Sequence, residues 1–128
     1  MLSRNLGKSG IEVSALGMGC WAIGGPWTWH NPGDDPWPAG WGMVDDQETT
    51  RAIHAALDIG VNLFDTAANY GAGHSERVLG EALKGRRDQA VVLTKFGHMV
   101  DEHAKVVYRD DDQILKKVRG DVEDSLSR

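Results

Sequence analysis

Cysteine is almost missing: Cys20 is the only one in 128 residues. A lone thiol excludes an internal disulfide and suits a reducing compartment. Long apolar runs are missing too. No stretch approaches the ~18 residues that a membrane-spanning helix needs. The opening Met1–Gly10 lacks the apolar run of a secretory signal. These absences point to a cytoplasmic chain without a membrane partner. Basic charge is in deficit, with 14 Lys+Arg against 19 Asp+Glu and a net charge of −5. That balance argues against a nucleic-acid partner, whose phosphates favour a basic face. What is present is ordinary: 41% hydrophobic and 26% charged residues, at a length that fits one globular domain.

The chain divides by pattern. Residues 2–16 read as a hairpin around the turn-rich Gly7-Lys-Ser-Gly10, and Leu16–Ile23 as a small-residue strand with close backbone approach. Residues 24–45 form an insert holding all four prolines and four of the five tryptophans. Proline and glycine predict an ordered loop without regular structure there. Its rings serve either as a clamp or as a substrate-facing wall. Asp45 with Glu48 predicts a capped helix start, and Ala52, Ile53, Ala56 and Leu57 repeat at helical spacing. Val61–Asp65 reads as a buried strand. Ser75 is placed as the cap of a second helix with the stripe Val78, Leu79, Ala82, Leu83. Ala90–Thr94 is a third strand, followed by a polar loop. Asp110–Asp112 starts a third helix with the stripe Ile114, Leu115, Val118, Val122, Leu126. Strands alternating with helices are the signature of parallel βα units, an α/β fold.

In such units the C-terminal strand ends share one face, where sites are built. Asp65 and Lys95 sit at two such ends, and Tyr70 lies in the loop beyond the first. The trio has a chemical logic. A phenol with its ordinary pKa of about 10 holds its proton at neutral pH. A neighbouring ammonium favours the phenolate, and a carboxylate keeps the lysine charged and oriented. The product is a general acid able to protonate a developing alkoxide, as carbonyl reduction by hydride requires. The alternative from spacing alone is an Asp–Lys ion pair with a packing tyrosine.

Three runs carry a resemblance: Val61-Asn-Leu-Phe-Asp-Thr-Ala-Ala-Asn-Tyr-Gly71, Ser75-Glu-Arg-Val-Leu-Gly-Glu-Ala-Leu83 and Val92-Leu-Thr-Lys-Phe-Gly97. Together they strongly resemble the aldo-keto reductase family. The helix near Asp46 and Gly71–Glu76 are similar to the bacterial branch that also resembles potassium-channel β-subunits. The resemblance implies an NADP(H)-dependent oxidoreductase on a (β/α)8 barrel, with a small carbonyl compound as substrate. It implies Asp65, Tyr70 and Lys95 as catalytic residues. Gly19, Cys20 and Trp21, with Asp65, are expected beside the cofactor's nicotinamide.

Departures from the family accompany the match. The family's fourth catalytic residue, a histidine at the fourth strand end, has no counterpart among His30, His54, His74, His98 and His103. His98 alone lies where it could approach the pocket, without a motif. Residues 1–128 are expected to supply a hairpin and about three βα units of the barrel, an incomplete N-terminal portion with open edges. A barrel takes about 250 residues. Open edges invite self-association. Two further readings stay open: a non-catalytic fragment or pseudoenzyme, and a ligand-binding module on the tryptophan-rich loop. Two weaker signals are set aside. Gly17–Ala22 fits a dinucleotide-binding glycine pattern but lacks a helix start directly behind it. His98–His103 matches no metal-ligand spacing. No metal is expected.

Overall fold

The computed structural model describes residues 1–128. Its nine strands are numbered along the chain. The first two, β1 (Ser3–Asn5) and β2 (Glu12–Ser14), form the expected antiparallel hairpin, with Ser3 opposite Ser14. Asn62 ties this hairpin to the rest. Its Oδ1 accepts from the Ser14 N–H at 2.6 Å, its Nδ2 donates to Glu12 O, and its own N–H donates to Ser14 Oγ at 3.0 Å. A side-chain amide thus does the work of a ladder, and the hairpin is fixed against the start of the next strand.

Three short strands make a parallel sheet: β3 (Gly17–Gly19), β6 (Leu63–Asp65) and β7 (Val91–Leu93), in the order β3-β6-β7. Helix α1 (Asp46–Asp58) connects toward β6, and α2 (His74–Ala82) lies between β6 and β7. Strand residues alternate between faces. One row, Met18, Phe64 and Val92, turns to the helices and joins Ile53, Leu57, Leu79 and Leu83 in the core. Phe64 and Ile53 are fully buried. The other row, from Gly17, Leu63 and Val91 to Gly19, Asp65 and Leu93, shares one register and stays at least partly exposed. This is the inner wall of a barrel arc, and β3 and β7 are its edges.

The helix starts follow the sequence at two places. Asp45 caps α1, its Oδ1 accepting from Gln47 N and Glu48 N. Glu48 does not complete the capping box; its carboxylate pairs with Arg51 instead. Asp110 caps α3 (Asp111–Ser127) by accepting from Asp112 N and Gln113 N. The second helix departs from expectation. Gly73 occupies its cap position, and Ser75 lies inside the first turn, fully buried. The stripe of α3 buries no residue: Leu115 and Leu126 are exposed, and Val122 and Leu126 line an open groove of about 300 Å³ against α2 and β7.

The insert is also more regular than expected. It folds into β4 (Trp27–Trp29) and β5 (Trp37–Ala39), paired antiparallel. The loop after β7 supplies β8 (Met99–Asp101) and β9 (Val106–Tyr108). All four join in a second sheet ordered β5-β4-β9-β8, with Thr28 opposite Val106. Proline did not prevent this, because Pro38 lies in β5, the edge strand, where a missing N–H costs no ladder bond. Trp27, Ala39, Ala72 and Val107 form the small core behind this sheet. No helix of the chain is long and apolar enough to cross a membrane.

Candidate functional site

Backbone hydrogen bonds carry the parallel sheet past its last ladder residues. Cys20 N–H donates to Asp65 O and Thr66 N–H to Leu93 O, both at 2.8 Å. Ala68 N–H reaches Lys95 O at 3.4 Å. The three strand ends therefore remain side by side, and the residues beyond them open onto one space. Lys95, two residues past β7, spends its ammonium protons there. Nζ donates to an Asp65 carboxylate oxygen, to Tyr70 Oη at 3.1 Å and to Thr66 O at 3.0 Å. An ammonium has three protons, so these acceptors use its full capacity.

The sequence trio Asp65, Tyr70 and Lys95 is thus one hydrogen-bonded cluster. It is accessible, with the Lys95 and Asp65 side chains about half exposed at 49% and 47%. Partial burial pulls the Lys95 pKa down, but the hydrogen bonds it donates to Asp65 and Tyr70 outweigh this and hold the amine above its ordinary value. Lys95 is therefore an ammonium at neutral pH. At this exposure the ion pair orients more than it stabilises.

Tyr70 owes its place to a backbone crossing. Gly24 and Gly71 approach so closely that a Cβ on Gly71 would lie 1.8 Å from Gly24 O, and one on Gly24 would lie 2.7 Å from the Tyr70 carbonyl carbon. Gly71 also has φ of 64°, in the left-handed region. Two glycines let the chain after β3 lie directly on the turn that carries the phenol. The Tyr70 ring then packs at 5.0 Å from Trp21. Further rings continue outward: Trp21–Trp27 at 6.2 Å, Trp27–Trp29 at 5.8 Å and a stacked Trp29–Trp37 pair at 6.1 Å.

The three remaining sequence candidates differ among themselves. Gly19 is exposed, and the position of an added Cβ would be open space. Trp21 is 40% exposed beside Tyr70. Cys20 is fully buried between the sheet and the helices, where burial, with the Asp65 charge adding, pushes its thiol up to about 12. Three of the five histidines have side-chain partners away from the cluster. His54 bonds Ala82 O, His74 bridges Gly24 O and Asp46, and His98 sits edge-on to Trp29 at 5.0 Å.

Four polar residues around the cluster escaped the sequence. Ser75 Oγ donates to Cys20 O at 2.8 Å, and the Thr66 hydroxyl lies 2.9 Å from it. Glu76 accepts from Thr94 Oγ1. In the sequence Ser75 follows a loop, which suits a helix cap and hides these bonds.

A run of parallel βα units with chemistry gathered at the strand ends defines part of a (β/α)8 barrel protein. The chain belongs to the aldo/keto reductase family, whose model matches residues 15–128. Aldo-keto reductase YhdN of Bacillus subtilis (strain 168) is 41% identical over 93 residues, which is 71% of this chain and 24% of that protein. The aldo-keto reductase AKR11C1 from Bacillus halodurans, in its holo form, aligns with 99% of this chain and 36% of its own, at TM-score 0.72 and 30% identity. An aldo-keto reductase from Klebsiella pneumoniae in complex with NADPH aligns with 65% of this chain and 24% of its own, at TM-score 0.50 and 29% identity. The chain thus spans between 24% and 36% of the length of these relatives.

Proposed function

We propose that this chain carries the proton-donor centre of an NADP(H)-dependent reductase of small aldehydes and ketones. The single observation that supports it most is the Lys95 ammonium held at once by Asp65 and by Tyr70 Oη at 3.1 Å. In this role Tyr70 Oη gives its proton to the carbonyl oxygen as that oxygen gains negative charge. Lys95 stabilises the phenolate that remains, and Asp65 keeps Lys95 charged and pointed. When bound, the nicotinamide supplies the hydride that reaches the carbonyl carbon. The residues present suit such a group: open space over Gly19, an exposed face of Trp21, and Asp65 and Lys95 beside them. Cys20 would serve by packing, since its side chain is enclosed. The relative from Klebsiella pneumoniae binds NADPH, which agrees with this assignment.

The test is Tyr70→Phe, which removes the proton and keeps the ring. The expected result is a fall in kcat for NADPH-dependent reduction of a short aldehyde by about 10²-fold or more. NADPH affinity by calorimetric titration should stay near wild type. Full retention of kcat would end the proposal.

A further inference from the structure

The first turn of α2 bonds the Tyr70 backbone and the chain neighbours of Trp21, Asp65 and Lys95, and the proposed reaction gives those contacts a purpose. Ser75 N–H donates to the carbonyl of Tyr70 at 3.2 Å. Ser75 Oγ has one proton and spends it on Cys20 O, the residue before Trp21. The Thr66 hydroxyl must therefore be the donor in its 2.9 Å bond to Ser75. Thr66 in turn offers its backbone carbonyl to Lys95 Nζ at 3.0 Å and follows Asp65 in sequence. The next residue, Glu76, accepts from the hydroxyl of Thr94, the neighbour of Lys95. Its other oxygen accepts from Arg128 at 2.9 Å. Ser75, Thr66 and Glu76 are 0%, 1% and 6% exposed. Such buried groups hold their bonds with little competition from water.

We propose that Ser75 and Glu76 are positioning residues that set the Tyr70–Lys95–Asp65 geometry by pinning three strand ends and the tyrosine turn to one helical turn. A cap role for Ser75 would leave Oγ on a nearby helix N–H; instead it bonds across to another strand end. Backbone hydrogen bonds hold the main chains of the three strands together beyond their ladder residues. The Ser75 and Glu76 side chains add links from one helical turn to Cys20, Thr66 and Thr94, at the ends of β3, β6 and β7. This inference rests on the proton-donor reading of Tyr70.

Three variants test it: Ser75→Ala, Thr94→Val and Thr94→Ser. Two readouts are needed, kcat and KM for a short aldehyde with NADPH, and the titration of Lys95 followed by carbon NMR of labelled lysine. Ser75→Ala and Thr94→Val are expected to lower kcat by about tenfold or more with KM nearly unchanged, as small misplacements of reacting groups do. In both, the Lys95 midpoint should fall from its raised position toward that of an ordinary lysine. Thr94→Ser keeps the hydroxyl and should restore both readings. If Ser75→Ala fails to fold, the Thr94 pair carries the test. Wild-type kcat together with an unmoved Lys95 midpoint in Thr94→Val would overturn the proposal. A protein that reduces no carbonyl would overturn the proton-donor reading instead. The Lys95 midpoint would then still decide whether the clamp positions the amine.

Discussion

The two sheets of this chain are built in opposite ways. In the parallel sheet, aliphatic side chains and Phe64 pack against two helices, and the polar cluster sits at one end. In the second sheet, four strands of three residues each come from two loops, and Trp27, Trp29 and Trp37 pack ring on ring there. The first sheet draws its stability from burial on a helix layer, so its end can carry a constrained polar site. The second has a core of only four buried residues, Trp27, Ala39, Ala72 and Val107. It is suited to covering a site, not to founding one. Where the chain leaves the first sheet for the second, Gly24 crosses directly on Gly71, the neighbour of Ala72 in the second core.

This contrast can be broken from the strong side first. Phe64→Ala removes the fully buried centre of the parallel sheet and is expected to cost about 3–5 kcal/mol, read as a lowered midpoint in denaturant. Gly71→Ala follows. Its Cβ collides with Gly24 O, and its positive φ disfavours a side chain. A loss of about 2–3 kcal/mol is expected. Both sheets should loosen together, because the crossing is shared, and amide exchange in β4 and β6 would show it. Trp29→Ala, at a half-buried ring, is expected to cost about 1–2 kcal/mol. Exchange should speed up in β4 and β9 and not in β6.

A pH step separates the sheets more gently. Burial, with Arg109 nearby, pulls the His98 pKa below its usual value. The folded state thus prefers the neutral ring. Its contribution is present above the ordinary value of 6.5 and is lost as pH falls below that, through the folded value. The near-UV circular dichroism of the tryptophans should change in that window, and His98→Gln should remove the step. The smallest effect is assigned to Trp41→Ala. That ring is 82% exposed, and the change should stay within about 0.5 kcal/mol of wild type.

The sequence made the first sheet readable and hid the second. Asp45 and Asp110 announce two helix starts because capping is local chemistry, decided within four residues. The βα order and the strand-end positions of Asp65 and Lys95 follow from apolar runs separated by amphipathic helices. The second sheet pairs Thr28 with Val106, and nothing in a three-residue strand predicts a partner so distant. Pro38 argues against a strand unless its edge position is known. Ser75 is deceptive for a related reason. Its type and place suit a cap, and only the folded arrangement brings Cys20 O and Thr66 within reach of its hydroxyl. Local rules found the cluster members and missed what braces them.

The file of rings from Tyr70 through Trp21, Trp27 and Trp29 to Trp37 has an optical consequence. Neighbouring chromophores at 5.0 to 6.2 Å exchange excitation far faster than they emit. Light absorbed anywhere along the file is therefore shared, and the phenol contributes almost no emission of its own. An absorbing ring that lands against Trp21 and accepts this excitation would dim the glow of the whole file, so the chain carries a built-in lamp at the mouth of its polar cluster.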